Sequence, residues 1–229
     1  MIALGETNIV KAFLGSTELK NIAIGDELLL SSEPAPLPYD AEIEYIKSSG
    51  TQYINTGILP DGTTKVELKG VFKYSSGTTR FGSRANTASL QYNVITSSQD
   101  TIRIDWGTGS SGITQWTVGQ YVVNTIIIDA STRKATVEYG GNIVTHTYTS
   151  SFLSQSSYPL TLFAFNSAGN ILLASDMTVS SFKCWKSDAL VMDMIPVRTG
   201  QVGYMYDKIS GTLFGNAGTG DFILGNDIT

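Results

Sequence analysis

A chain of 229 residues, 41% hydrophobic and only 15% charged, has room for one large β-rich domain and a small appendage. Its formal charge of −5 repels phosphate backbones, which argues against nucleic acid as a partner. A lone cysteine, Cys184, excludes an intrachain disulfide and reads as a small buried residue; no apolar run reaches membrane-spanning length, so no membrane insertion is expected.

Met1 is followed by Ile-Ala-Leu-Gly-Glu-Thr, with neither a basic n-region nor an apolar h-region. No signal peptide is seen, and folding in a cytoplasm is expected. The first thirty residues then repeat with a period of ten, marked by Gly5, Gly15 and Gly25. Leu4-Gly5-Glu6-Thr7-Asn8-Ile9-Val10-Lys11 aligns with Leu14-Gly15-Ser16-Thr17-Glu18-Leu19-Lys20-Asn21, and Ile24-Gly25-Asp26-Glu27-Leu28-Leu29 is a partial third copy. Each unit reads as a glycine turn followed by a short apolar-rich strand. Leu4, Ile9, Leu14, Leu19, Ile24 and Leu28 recur as a stripe that needs cover, because so few residues cannot bury a core of their own. The stripe either packs on the chain's own domain or docks on another chain, and exposed strands of this kind recruit further strands.

Residues 31–40 read as a linker in which Pro34, Pro36 and Pro38 alternate, favouring an extended, stiff segment. The expected division is therefore an assembly segment (1–30), a linker (31–40) and one large domain (41–229).

That domain reads as strand after strand. Lys65 to Lys69 alternates with Val66 and Leu68 inward, and Thr101 to Trp106 places Ile102, Ile104 and Trp106 on one face. The region before it, with Arg80, Arg84 and Tyr92, reads as loop-rich. Tyr121 to Asp129 is nearly continuous and β-branched, as in a central strand. Lys134 to Tyr139 and Ile143 to Tyr148 flank Gly140-Gly141, a hairpin signal. Leu160 to Phe165 and Met177 to Trp185 are further strands. Val191 to Val197, ending near Pro196, begins a closing series of short apolar runs separated by the turns Asp207 to Gly211 and Asn216 to Gly220, the last run being Phe222 to Leu224. About ten short strands without helical periodicity point to an all-β, two-sheet sandwich.

The closing stretch, IPVRTGQVGYMYDKISGTLFGNAGTGDFILG (195–225), resembles the end of concanavalin A-like (laminin G-like) jelly-roll domains common in gut bacteria and their phages. IEYIKSSGTQYINTG (43–57) is similar to the opening of the same domains. The resemblance implies a concanavalin A-like jelly roll over 41–229 and names no activity, since one such fold hosts many. The decad, in turn, resembles the LGxTxI segments at the N-termini of phage virion proteins.

The implied family includes glycoside hydrolases, whose retaining members need two carboxylates about 5 Å apart on one sheet. No E-x-D-x-E segment exists here; Glu42 and Glu44 flank the first strand, Asp105 stands alone and Asp129 ends its strand. His146, the single histidine, supports neither a triad nor a zinc site and reads as a hairpin surface residue. Asp61, Asn86, Asp100 and Asn166 are loop oxygens open to calcium, but they form no dense acidic loop. No enzyme activity and no cofactor are expected. For carbohydrate, Trp106 beside the glycine-rich Gly107 to Gly112, together with Trp116, Tyr92 and Arg84, could supply stacking and hydrogen bonds. Both tryptophans read equally as core, and Arg80-Phe81-Gly82-Ser83-Arg84 also matches a structural segment of the resembled domains.

The expected protein is a phage virion subunit, a fibre or capsid decoration, with its decad assembling with itself (as a homotrimer, for example) or with other virion proteins. Its jelly roll would contact host glycans or a neighbouring subunit. A bacterial carbohydrate-binding module is the alternative, and a hydrolase comes third.

Overall fold

The computed structural model describes residues 12–14, 17–19, 21–24, 27–31, 36–72, 79–86, 89–98, 101–107, 114–117, 122–149, 155–172 and 174–228, with backbone alone before residue 36 and at parts of 86–117. Among them there is no helix. The chain divides into two units, Met1–Leu37 and Pro38–Thr229.

In the first unit Ala12–Leu14 pairs antiparallel with Thr17–Leu19, and Asn21–Ile24 with Glu27–Ser31. The ten-residue period is thus a hairpin period, with Gly15 or Gly25 between the two strands of each pair. Leu4 and Ile9 lie outside the described residues, as do the side chains of Leu14, Leu19, Ile24 and Leu28.

The second unit is a two-sheet jelly roll. The larger sheet runs Asn142–Thr147, Lys134–Tyr139, Val123–Asp129, Thr64–Phe72, Asp176–Lys186, Ala189–Thr199, Val202–Asp207, Thr212–Phe214. Ile46–Ser49 joins it beside Asp176–Lys186, and Ile223–Leu224 pairs with Ile46–Ser49 in turn. The smaller sheet runs Thr114–Thr117, Thr101–Gly107, Ser89–Ser98, Thr79–Asn86, Thr161–Leu162, Ile54–Asn55, with Phe165–Ser167 parallel to Thr79–Asn86. Strict alternation builds the core. Val66, Leu68 and Phe72, Ile126 and Ile128, and Ala135 and Val137 face inward from the larger sheet. Phe81, Tyr92, Val94 and Ile104 meet them from the smaller one.

A bulge at Ser180 keeps one long strand in phase. Val179 pairs with Gly70 and Ser181 with Lys69, so Met177 and Val179 before the bulge share the buried face with Phe182 and Cys184 after it. The bulge also draws the strands together: a Cβ on Gly70 would stand 2.1 Å from the Thr178 carbonyl oxygen. The Thr178 hydroxyl accepts the Val71 N–H at 2.9 Å, filling in for a ladder bond.

Several expectations are corrected here. The region read as loop-rich contains two long strands, Thr79–Asn86 and Ser89–Ser98. Leu160 to Phe165 is not one strand: Phe163, wholly buried, takes φ +67° and splits it into Thr161–Leu162 and Phe165–Ser167. The kink is held by Phe163 N–H donating to the Arg80 carbonyl (2.9 Å) and Ser175 N–H donating to that of Phe163 (2.7 Å). Pro196 does not end its strand, which runs to Thr199. Tyr39 and Asp40, assigned to the linker, already belong to the sandwich. The Tyr39 ring lies edge-on to Tyr206 at 5.0 Å, and the Asp40 carboxylate accepts the Gly200 N–H at 2.7 Å.

The two motifs that carried the family resemblance form a single clasp. Ile223 and Leu224 pair with Lys47 and Ile46, Gly225 N–H donates to the Tyr45 carbonyl, and Glu44 N–H to that of Asn226. Asn216 accepts the Tyr53 N–H at 3.1 Å, and Gln52 Nε2 donates to the Asp221 carbonyl at 3.0 Å. A Cβ on Gly218 would meet the Thr51 carbonyl oxygen at 2.1 Å, so only glycine lets the two ends close this tightly. Beside the clasp, the Asp207 carboxylate, 1% exposed, organises the turn after Val202–Asp207. It accepts the N–H groups of Asp193 (2.8 Å), Ile209 (3.2 Å) and Ser210 (3.1 Å), and the Ser210 hydroxyl (2.7 Å).

Candidate functional site

With Val66 and Leu68 facing the core, Lys65, Glu67, Lys69 and Val71 must face outward on the larger sheet. Register then aligns cross-strand rows. Ser181, Lys69, Thr125, Glu138 and Ile143 form one; Lys47, Thr178, Val71 and Val123 form the next. Two shallow hollows lie along these rows. One, of about 410 Å³, is lined by Lys69, Thr125, Glu138, Tyr139 and the Gly140-Gly141 hairpin to Ile143. The other, of about 270 Å³, is lined by Glu44, Tyr45, Val71, Thr178 and Ser180. Val123, 48% exposed, lines both.

The floor is fixed by its own hydrogen bonds. Thr178 is tied to Val71, the Ser180 hydroxyl donates to the Lys69 carbonyl at 3.2 Å, and the Glu44 carboxylate accepts both the N–H and the Nδ2 of Asn226. Gly140 and Gly141, at φ +53° and +81°, form the tight hairpin that sets Tyr139 and Asn142 at the rim. A tyrosine, Tyr45, at one end, aliphatic surface at Val71 and Val123 in the middle and hydroxyl groups between is a lining that matches the alternating C–H faces and hydroxyls of sugar rings. Tyr139, in the inward phase with Ala135 and Val137, packs its ring against the core. Further along the same face Trp185 is half-buried, with the Lys65 ammonium 4.7 Å from its ring centroid.

Of the carbohydrate contacts read from sequence, two have described side chains. Tyr92 is a core residue: it is wholly buried, and its hydroxyl reaches across the sandwich to the carbonyls of Ile128 (2.8 Å) and Thr64 (3.3 Å). Burial pushes its phenol well above the usual range. Arg84 is half-buried, with its guanidinium over the Phe165 ring and Nε donating to Ser167 Oγ at 3.0 Å, which commits it to packing between strands. Trp106 pairs with Tyr92 and Trp116 with Ile102 along the backbone; both tryptophan side chains lie outside the described residues.

Of the calcium candidates, Asp61 is engaged by the Thr63 N–H, the hydroxyls of Thr63 and Thr64, and the Lys186 ammonium at 2.6 Å. Partial burial raises its carboxyl, but Lys186 and the Thr63 donors overcome this and bring it down to about 2. Asn166 accepts the Gly169 N–H and donates to the Pro159 carbonyl. Asp100 and the Asn86 side chain lie outside the described residues. Among the described residues no three acidic, histidine or cysteine side chains gather as a metal site. His146 is exposed on Asn142–Thr147, edge-on to Tyr148 at 4.8 Å. Cys184 is buried, and burial raises its thiol to about 12, which leaves it inert at neutral pH.

Sequence reasoning passed over Tyr45, Lys69, Val123 and Thr125. The signal available was the outward set of the alternation: Val71 and Val123 are apolar residues in the phase that should be polar.

No protein-family model and no curated protein matches the chain at a significant level. Among solved structures it is similar to a "putative carbohydrate binding protein" from Bacteroides ovatus, at TM-score 0.55 and 11% identity over 90% of this chain. The match spans 65% of that protein, just under two thirds of its length. It is also similar to a heptameric SAP-like pentraxin from Limulus polyphemus, at TM-score 0.50 and 11% identity, covering 85% of this chain and 98% of that one. At these identities the likeness establishes the jelly-roll fold.

Proposed function

We propose that this chain is a non-catalytic carbohydrate-binding protein, carried by its N-terminal β-repeat as a fibre or capsid-decorating subunit of a phage particle. The observation that carries the carbohydrate reading is the groove on the larger sheet, with Tyr45 at one end, Val71 and the exposed Val123 in its middle and Thr125, Thr178 and Ser180 beside them. The name of the Bacteroides ovatus neighbour agrees with it. Hydrolysis fits poorly. The groove's carboxylates, Glu44 and Glu138, stand about four strand spacings apart, roughly 19 Å, whereas glycosidase pairs stand about 5–9.5 Å apart.

The virion reading is supported by the N-terminal sequence, whose decad resembles virion N-termini and forms hairpins in a unit of their own. Partners on this reading are further copies of the chain, other virion proteins and a host-surface glycan. A bacterial carbohydrate-binding module is the second reading, favoured by the Bacteroides neighbour.

A glycan array probed with the full chain and with a chain beginning at Pro38 tests both halves. A stacked ring adds only about 1 kcal/mol beyond its buried area, so array signal is expected from the multivalent full chain and much less from the truncated one. The truncated chain should melt cooperatively, remain monomeric and fail to enter particles. Absence of array signal from either form would remove the carbohydrate reading. Equal mass and equal incorporation of both would remove the anchor.

A further inference from the structure

We infer that the groove takes an unbranched, uncharged glycan chain lying across the strands, with about one ring per strand; this rests on the carbohydrate reading above. The first reason is length. The two hollows meet at Val123 and together touch Asn142–Thr147, Lys134–Tyr139, Val123–Asp129, Thr64–Phe72, Asp176–Lys186 and the Glu44-Tyr45 segment. Neighbouring strands are about 4.8 Å apart, close to the distance at which pyranose rings repeat along an extended chain. A run of about four rings therefore reaches from the Glu138 position to Tyr45 with the rings in step with the strands. A receptor for one terminal sugar would instead need a single enclosed pocket.

The second reason is charge. The larger hollow holds one cation, Lys69, in the same cross-strand row as one anion, Glu138. The smaller holds only Glu44, whose carboxylate is taken up by Asn226. An acidic chain would meet a carboxylate at each end and, between them, Lys69 and, in the adjoining row, Lys47, which is already ion-paired with Asp176 at 3.6 Å. A neutral chain meets hydroxyls, one amide and aliphatic surface. The third is the saddle: Val123 and Val71 project apolar surface where the hollows join, which suits the C–H face of a ring and makes Val123 the residue any continuous ligand must cross.

The test is calorimetric titration of the full chain with cello- and manno-oligosaccharides of two to six rings, beside oligogalacturonides of the same lengths. For at least one neutral series, affinity should rise with each ring up to about four and then level, gaining at least about tenfold overall. Val123→Arg should remove that gain while leaving the melting temperature in place, since Val123 is already half-exposed. Tyr45→Ala should cost several-fold in the long ligands and little in the dimer. Three outcomes would overturn the inference: affinity flat from two rings upward, Val123→Arg without effect, or oligogalacturonides binding more tightly than both neutral series. Each leaves the carbohydrate reading standing, which falls only if the array itself is blank. Should Val123→Arg abolish self-association and no chain bind, this face is a protein interface and the inference is wrong.

Discussion

Gly70→Ala is expected to leave the jelly roll unfolded, or to lower its melting temperature by about 10 °C or more. The added Cβ would stand 2.1 Å from the Thr178 carbonyl oxygen, 3.1 Å from its carbon and 3.3 Å from Val179 Cα, all backbone atoms that cannot rotate aside. Relief requires the two most central strands of the larger sheet, Thr64–Phe72 and Asp176–Lys186, to part beside their bulge. Overpacking in a core costs about 1–3 kcal/mol and more where the obstacle is rigid. The sheet cannot absorb it locally, because Val66, Leu68 and Phe72 on one strand and Val179 and Phe182 on the other are all fully or almost fully buried. Differential scanning calorimetry of Gly70→Ala against Lys69→Ala, its exposed neighbour, reads the effect; the lysine variant should stay close to wild type. Equal melting temperatures for the two would mean that the strands do not approach as described.

Asp207→Ala should cost about 2–4 kcal/mol, since it removes four hydrogen bonds to one buried carboxylate. The N–H groups of Asp193, Ile209 and Ser210 would lose their acceptor in a place where water reaches poorly. Asp207→Asn keeps the amide oxygen for some of these donors and should recover part of the loss. Burial alone would raise this carboxyl, but the Ser210 hydroxyl and the N–H donors outweigh it and hold the group below its ordinary value. Its contribution is therefore complete above the usual carboxylate range, near pH 4, and is lost as the pH falls through the depressed folded value. Urea unfolding at neutral and at acid pH should show the gap between wild type and Asp207→Ala narrowing in acid. A gap that widens in acid would contradict the assignment of the donors.

The strands that the sequence displays best are those that alternate and end at glycine turns. Lys134–Tyr139 is read to the residue, and Thr101–Gly107, Val123–Asp129 and Asp176–Lys186 to within a residue or two; in Lys134–Tyr139, Val123–Asp129 and Asp176–Lys186 one face is buried and the other is not. Thr79–Asn86 is hidden for the opposite reason. It is buried on both faces from Thr79 to Ser83 and carries Arg80, 1% exposed, whose guanidinium lies over the Phe72 ring and donates to Ser175 Oγ at 3.2 Å. Burial brings its pKa down to about 10, partly offset by Asp176, so it stays charged inside the sandwich. A pattern that equates charge with surface cannot see such a strand. Phe163 misleads in the same manner, since a bulky aromatic residue at positive φ is a tertiary solution that propensity disfavours.

The terminal motifs were legible as a family signature, and the clasp gives the physical reason: Gly218, Asn216, Gln52 and Thr51 are fixed in type by close approach and by hydrogen bonds across the chain ends. They specify closure of the fold and lie outside the lining of the groove's larger hollow. The groove was not legible, because it is a property of cross-strand neighbours. Tyr45 and Val123 stand far apart in sequence and come to share one surface only when the order of the sheet is known. Tyr92, by contrast, looked like a ligand contact because tyrosine beside polar residues is common in sugar sites; its hydroxyl is instead spent on bridging the two sheets.

The central claim is that the larger sheet's outer face is where carbohydrate binds. A crystal structure of the full chain soaked with the strongest array ligand tests it most directly. Sugar density is expected along Tyr45, Val71, Val123 and Thr125, running across the strands. Density confined to the region of Trp106 and Trp116, with the groove filled by solvent alone, would contradict it.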